Sequence, residues 1–491
     1  MFVAWSNNSA RGVHDVAGSS KKDACARPLQ HLAYVKPCGR KAALLGSVAA
    51  CFLASGAIGG INCSHAADLS ATPPVLQTQA PPLNLDWYTE LRGIDEQLPD
   101  HNDLIDPDVG GVRSALASVG IGYLGYSSNS FYLNMLNVAR TTDGHQEYSG
   151  QRPTFSTVDV LNTTYDTSRW GIPDGQILLS AVGNFFSWKE AGPTLWGLSQ
   201  ASWYQTLFNR KVELTIGYMS NFQEYINPYV GGAITSSVFG LGSAIQIQGG
   251  MSFAAFPKPA TTVKVNITPN IYTLGTVQSS LNPDGLAEEF SQNPHGIAWR
   301  TDHSGVLFVD ETGYKNASDP NVMETWVRAG AAYNTSSFIS NVDPSERRSG
   351  NSFYYVLGDR QLWQSNPSAG AYRGVYAGFS AMYAPPDLNL FTQYYELRLY
   401  ALGVFDARPT DLISLTLSDT FWSTYLVDNL ALAGNLVHND SKSATLAYNI
   451  HVMHGVYAGL GVSYTDHPST IAYTPTTGSS LNFLASLNVF Y

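Results

Sequence analysis

Along most of the chain, apolar side chains recur at every second position. In the segment running to Tyr491, Leu481, Phe483, Ala485, Leu487, Val489 and Tyr491 share one parity; Asn482, Ser486 and Asn488 take the other, with Leu484 and Phe490 as exceptions. Val456, Ala458, Leu460, Val462 and Tyr464 alternate with Tyr457, Gly459, Gly461, Ser463 and Thr465. The same holds for Ile413, Leu415 and Leu417 against Ser414, Thr416 and Ser418, and for Val212, Leu214, Ile216 and Tyr218 against Glu213, Thr215 and Gly217. Leu397, Leu399 and Ala401 alternate with Glu396, Arg398 and Tyr400. Successive side chains point to opposite faces of a strand, so each segment predicts one greasy and one wet face. Several segments run about 10 residues, the length a tilted strand needs to cross a bilayer, whereas soluble sandwich strands average roughly 5–6. Their separators are rich in turn formers, such as Asn282-Pro283-Asp284-Gly285 and Pro385-Pro386-Asp387. Hydrocarbon offers backbone N–H and C=O groups no partner, so strands within it must close into a ring. At about 23 residues per strand with its connection, residues 118–491 predict about 16 strands.

The expected fold is therefore all-β: a closed antiparallel transmembrane β-barrel over residues 107–491. A soluble sandwich or propeller is the competing architecture. A short helix enters first, because Val112, Ala115, Leu116 and Val119 fall at helical spacing. Tyr218, Tyr464 and Tyr491 stand at strand ends, where amphipathic rings suit the headgroup level.

The first hundred residues read differently. Ala42–Ile61 is an uninterrupted apolar run behind Arg40 and Lys41, and Ser64-His65-Ala66 follows. A basic start, an apolar middle and small residues at the end describe a secretory signal peptide, placed here at residues 1–66. Residues 67–106, with Pro73-Pro74 and Pro81-Pro82, read as a flexible Pro-rich lead-in. Cys25, Cys38, Cys51 and Cys63 all precede the expected cut, leaving no thiolate metal site and no disulfide framework beyond it. Residues 1–66 hold seven Lys/Arg and two Asp/Glu, so the remainder has 20 basic and 36 acidic residues, net −16. With no Lys/Arg stripe, nucleic acid is not an expected partner. A mean hydropathy of −0.09 excludes a polytopic helical membrane protein.

One stretch carries a resemblance. GDRQLW from Gly358, YRGVYAGFSAMYAPPDLNLF and ELRLYALGVFDARPTDLISLTLSDTFWS follow one another between Gly358 and Ser423. In this order they resemble the carbohydrate-selective outer-membrane porins of the OprB family, whose Gly-rich strand is followed by a G-x-x-x-R-P-x-D turn. Arg408, Pro409 and Asp411 match that turn and Asp359 matches an Asp ending the preceding strand, while Arg360 stands where the family usually has Gln. DVGGVRSALASVGIGYLGYSS from Asp108 and Trp203-Tyr204-Gln205 are similar to further landmarks. The resemblance implies a Gram-negative outer-membrane channel for passive diffusion of monosaccharides, glucose above all. It also implies a constriction lined by charged and aromatic residues. Tyr491 resembles the terminal aromatic that such barrels present to the outer-membrane assembly machinery.

No H-E-x-x-H, G-x-S-x-G, P-loop or Cys/His metal spacing occurs, so neither catalysis nor a cofactor is expected. His451 and His454, three apart in a strand-like segment, are expected on opposite faces. Sugar recognition needs hydrogen-bonding groups and aromatic faces on a wall from which the solute can leave. Parity selects two sets: Glu396, Arg398 and Tyr400, and Glu324, Trp326 and Arg328, the latter opposite Thr325, Val327 and Ala329. Asp359 and Arg360 are further pore-lining candidates. Each set could equally be the polar lumen of any barrel. The expected partners are monosaccharide solutes, outer-membrane lipid and the barrel assembly machinery, with the number of associated copies left open. A porin of broad hydrophilic selectivity and a secreted carbohydrate-binding protein are the alternative functions.

Overall fold

The computed structural model describes residues 84–94, 98–136, 146–226, 243–468 and 478–491. The expected signal peptide and most of the lead-in lie outside them. Sixteen antiparallel strands form one closed barrel: β1 (Ile121–Asn134), β2 (Thr154–Asp166), β3 (Gln176–Phe186), β4 (Leu195–Leu207), β5 (Val212–Met219), β6 (Lys258–Asn266), β7 (Ile271–Ser279), β8 (Val306–Asn316), β9 (Thr325–Ile339), β10 (Arg347–Gln364), β11 (Gly374–Tyr383), β12 (Phe391–Leu402), β13 (Leu412–Trp422), β14 (Asp440–Met453), β15 (Val456–Asp466) and β16 (Ser479–Phe490). Each strand pairs with its neighbours in sequence, and β16 closes the ring on β1 from Tyr126↔Phe490 to Asn134↔Asn482. The expected strand number is the observed one.

The parity read from the sequence is the parity of the wall. Leu397, Leu399, Leu415, Leu417, Leu446, Leu460 and Leu487 are exposed, while Arg398, Tyr400, Ser414, Thr416, Ser418 and Ser463 are buried inside. No helix of the described residues is long and apolar enough to cross a membrane; the strands are what carries the apolar band. The two exceptions on β16 have inward partners: Leu484 packs with Ala447 and Tyr132, and Phe490 with Tyr126 and Tyr457. Tyr464 and Tyr491 are exposed. Tyr218 instead donates to the Ile297 carbonyl at 2.9 Å and meets Trp299 edge-on, holding a loop.

The connections differ in length at the two ends. At the end that bears residue 491, the β4–β5, β6–β7 and β14–β15 turns are tight; at the other end the β5–β6 and β7–β8 connections are long. The β5–β6 connection folds back into the barrel. Its α3 (Phe222–Tyr225) and α4 (Ile245–Gln248), numbered after α1 (Asp86–Thr89) and α2 (Val112–Ser118), meet inward-facing residues of the wall. Tyr225 donates to Thr276 Oγ1 at 2.7 Å, Asn221 to Gln278 Oε1 at 2.6 Å and Asn334 to the Gly249 carbonyl at 2.7 Å. Tyr225, Ile245 and Met251 pack against the β7–β12 side, and Phe253 and Phe256 belong to a cluster with Leu124, Val160 and Val182. Its described residues thus reach both sides of the lumen. The following long connection is fixed by Lys258 and Glu289, 2.7 Å apart and fully buried, with Glu289 also accepting from Asn282 N, Asn293 Nδ2 and Thr301 Oγ1.

The short helix α2 forms where expected, but its buried face is Arg113 and Ala117, and Val112 and Val119 stay exposed. Arg113 decides this: it donates to the carbonyls of Asp106 (2.8 Å) and Tyr123 (2.6 Å) and lies over the Tyr123 ring. Residues 84–94 and 98–106, expected within the flexible lead-in, are folded against the wall, as described below.

Candidate functional site

On the β7–β12 side the inner wall carries a belt of long polar side chains. At its centre Arg398 on β12 grips Asp359 on β10 with two bonds, Nε to Oδ1 at 2.8 Å and Nη2 to Oδ2 at 2.6 Å. Parallel, charge-assisted bonds of this kind fix both side chains. Arg398 Nη1 also donates to Glu396 Oε1 at 2.5 Å and Ser380 Oγ at 2.8 Å. Tyr400 donates to Asp359 Oδ1 at 3.0 Å and Tyr394 to Glu396 Oε2 at 2.5 Å. β11 lies between the two ion partners, and the residue registered with both Asp359 and Arg398 is Gly378. A Cβ there would collide with the Asp359 carboxylate and stand 2.6 Å from Arg398 Nε. The glycine is the space through which the pair meets.

The device repeats two strands away. Glu311 on β8 accepts from Tyr272 and Tyr355, each at 2.8 Å, with Arg328 Nε 3.9 Å from its second oxygen. Tyr355 reaches it across Gly330, whose missing side chain leaves room for the ring. Trp326 donates from Nε1 to the Tyr272 hydroxyl at 3.0 Å, and both Arg328 and Lys315 lie 3.9 Å from its ring centroid. Glu324, one residue before β9, joins through Tyr376 (3.4 Å) and through Gln361, which donates from its backbone N–H to the Glu324 carbonyl at 2.8 Å. Burial pushes the Glu324 carboxyl above the ordinary carboxylate range, opposed by nearby Lys315. Tyr376 and Tyr400 stack with centroids 5.1 Å apart and planes 5° from parallel.

The structure brings the two sequence-selected sets together. Trp326 and Asp359 are cross-strand partners, so Glu324, Trp326 and Arg328 continue into Asp359, Glu396, Arg398 and Tyr400. Arg360 is not among them; it takes the opposite parity, exposed between Asp359 and Gln361. The belt's other members, Glu311, Tyr272, Tyr355, Tyr376 and Tyr394, were not singled out in the sequence. The signal was faint: Glu311 shares its parity with Leu307 and Val309. Arg408 and Asp411 are turn residues, where Asp411 accepts from Tyr448 at 2.5 Å and from His451 N at 2.9 Å. His451 and His454 do not face apart as expected. His454 lies in the β14–β15 turn, and both rings approach Asp103, at 2.9 and 3.5 Å. Among the described residues no group of His, Cys, Asp and Glu is arranged to hold a metal ion.

Such a belt offers fixed donors and acceptors, with its carboxylates set beside Arg328, Arg398 and Lys315. Known structures share the fold. The high-pH structure of Pseudomonas putida OprB is similar at 17% identity with a TM-score of 0.66, over 81% of this chain and 100% of that one. The low-pH structure of the same protein matches at 14% identity and a TM-score of 0.50, over 79% and 98%. Both likenesses are of fold. A search of curated proteins finds no match. The family model described as carbohydrate-selective porin, OprB family, matches residues 140–472. The chain thus belongs to the carbohydrate-selective porins of the OprB family, and is an outer-membrane β-barrel channel.

Proposed function

We propose that the channel favours small neutral sugars, monosaccharides such as glucose, and that the belt is where it discriminates. The observation that carries this is the graded exposure within one hydrogen-bonded group. The side chains of Asp359 and Arg398 are 4% and 5% exposed, whereas that of Glu396 is 15% exposed. Asp359 and Arg398 position Glu396, and Glu396 offers a carboxylate edge to passing hydroxyls. Trp326, Arg328, Tyr400 and Glu324 complete the rigid wall behind it. Contacts of this kind are weak and few, as a diffusion pathway requires, because a solute held tightly would not leave. No covalent step is involved.

Single-channel conductance with a panel of mono- and disaccharides tests the reading. Monosaccharides are expected to reduce the current, and Glu396→Gln to weaken that reduction while the barrel still assembles. Unchanged sugar block in Glu396→Gln removes the belt from recognition, and no block by any sugar makes the channel a broad hydrophilic porin. We further infer that residues 1–66 direct export and that Tyr491 is read by the outer-membrane assembly machinery. N-terminal sequencing of the protein recovered from outer membranes should begin near Ala67.

A further inference from the structure

The segment preceding β1 lies inside the barrel rather than below it. Tyr88 places its carbonyl against Gly122 of β1, where a Cβ would not fit, and accepts a hydrogen bond from Thr164 Oγ1 of β2. Both residues have inward parity: Gly122 pairs with Thr164 and Thr164 with Leu178, which is buried. Trp87 donates to Asp166 at 3.3 Å. Arg92 N–H donates to Gln176 Oε1 at 3.0 Å, and Gln176 Nε2 returns a bond to the Glu90 carbonyl at 2.9 Å. Gly93, at φ +79°, rests against the Tyr204 ring of β4 and Thr215 of β5. The chain then turns back, with Asp86 accepting from the backbone and ring of His101, each at 2.8 Å.

Its far end is fastened on the other side of the seam. Leu104 is buried with Leu124, Tyr126, Tyr457 and Phe490, and Ile105 N–H donates to the Phe490 carbonyl at 3.0 Å. Asp103 accepts from His451 Nε2 at 2.9 Å, Gly455 N at 3.1 Å and the Tyr457 hydroxyl, with His454 Nδ1 at 3.5 Å. From β5 round through β1 to β14, the segment therefore contacts the inner wall at the end bearing residue 491. The strands it leaves uncovered there include those carrying Trp326, Tyr376 and Tyr400, which form their own cluster with Leu412.

We propose that residues 84–94 and 98–105 form an internal strap that narrows the mouth at this end. It is a sieve in series with the inward β5–β6 connection and distinct from it, latched by Asp103. Solute leaving the belt then passes between the strap and the aromatic cluster opposite. The physical case is the number of independent anchors. Trp87, Tyr88, Arg92, Gly93, Asp103 and Leu104 together reach β1 to β5, β15, β16 and the end of β14, so the segment is held along that arc of the wall rather than tethered at one point.

The test uses the full chain lacking only residues 84–99, which keeps Asp103 and Leu104. Nonelectrolyte polymers of graded size are added to one side of a bilayer at a time. The deletion is expected to raise single-channel conductance and to admit larger polymers from the strap side only, with the cut-off from the loop side unchanged. An unchanged cut-off and conductance in a barrel that still shows heat-modifiable migration would overturn the proposal. Should the deletion fail to assemble, Trp87→Cys in the otherwise unaltered chain serves: a bulky thiol reagent should lower its conductance and leave the unsubstituted protein unaffected. Equal conductance before and after labelling would count against the strap. Asp103→Ala should add current flicker from a loosened strap, and quiet traces identical to the parent would exclude the latch. Sugar preference at Glu396 is read separately, so failure of the strap leaves the belt untouched.

Discussion

At the scale of single residues, the belt depends on what is missing as much as on what is present. Arg398 and Asp359 belong to strands separated by β11, and they touch because Gly378 gives up its side chain between them. Gly378→Ala must push the carboxylate or the guanidinium aside, an overpacking cost of about 1–3 kcal/mol. Thermal unfolding of the heat-modifiable barrel should fall accordingly, and sugar block should weaken with it, because Glu396 is positioned through Arg398. The pH response belongs to Glu324. Its carboxyl is raised above the ordinary value of 4.5 by burial, so on acidification it takes up its proton at higher pH than an exposed glutamate. Acidification should therefore remove one negative charge from this end of the lumen before exposed carboxylates titrate, and shift the reversal potential in a salt gradient toward anions. Glu324→Gln should lack that step. The sequence alone could point to Glu396, Arg398, Tyr400, Trp326 and Arg328 because parity is a local property. It could not point to Tyr355 or Tyr272, whose partner Glu311 is set by the register of other strands.

At the scale of the strand, the wall has two solvents, and one step along the chain exchanges them. On β13, Thr416 faces in and Leu417 faces out. An arginine at an outward position near the middle of the bilayer costs about 2–4 kcal/mol, while an inward polar position tolerates charge. Leu417→Arg should therefore reduce the yield of folded barrel in outer membranes. Thr416→Arg should assemble but change conductance and ion selectivity. If both variants assembled equally well, the outer face would not be lipid-exposed. This alternation made the barrel legible: side chains two apart share one environment over a whole strand. The strap was not legible for the opposite reason. Its Pro-rich approach and lack of periodicity suggest a flexible lead-in, yet residues 84–94 and 98–105 are held by isolated anchors whose partners are distant in sequence, such as Trp87 with Asp166, 79 positions on, and Asp103 with His451, 348 positions on. The helix illustrates a third case. Its spacing was right, but Arg113, a residue that pattern reading assigns to the wet face, makes its buried contacts.

At the scale of the whole molecule, the chain is acidic, yet the charged groups of the inner wall have nearby partners. Lys258 meets Glu289, Arg328 lies near Glu311, and Arg398 holds Asp359 and Glu396, while Lys315 and Lys264 sit over the Trp326 and Tyr272 rings. Glu213 accepts from Tyr204 at 2.9 Å and Asn266 at 2.8 Å. Matched charges produce short-range dipoles rather than a long-range field, so the lumen should attract polar neutral solutes without concentrating either ion. The intact channel is accordingly expected to show weak ion selectivity despite the negative net charge of the chain. Unbalancing the central pair should reveal this. Asp359→Asn removes one of the two carboxylates that Arg398 holds and should shift the reversal potential toward anions, and Arg398→Gln should shift it toward cations. Breaking a buried pair by removing one partner costs about 3–5 kcal/mol, so both variants should also melt earlier than the parent. The double variant restores the charge balance and should return the reversal potential toward the parent value. Single substitutions that leave it unmoved would mean that ions pass the belt without sensing it, and that the pairing serves only to stiffen the wall.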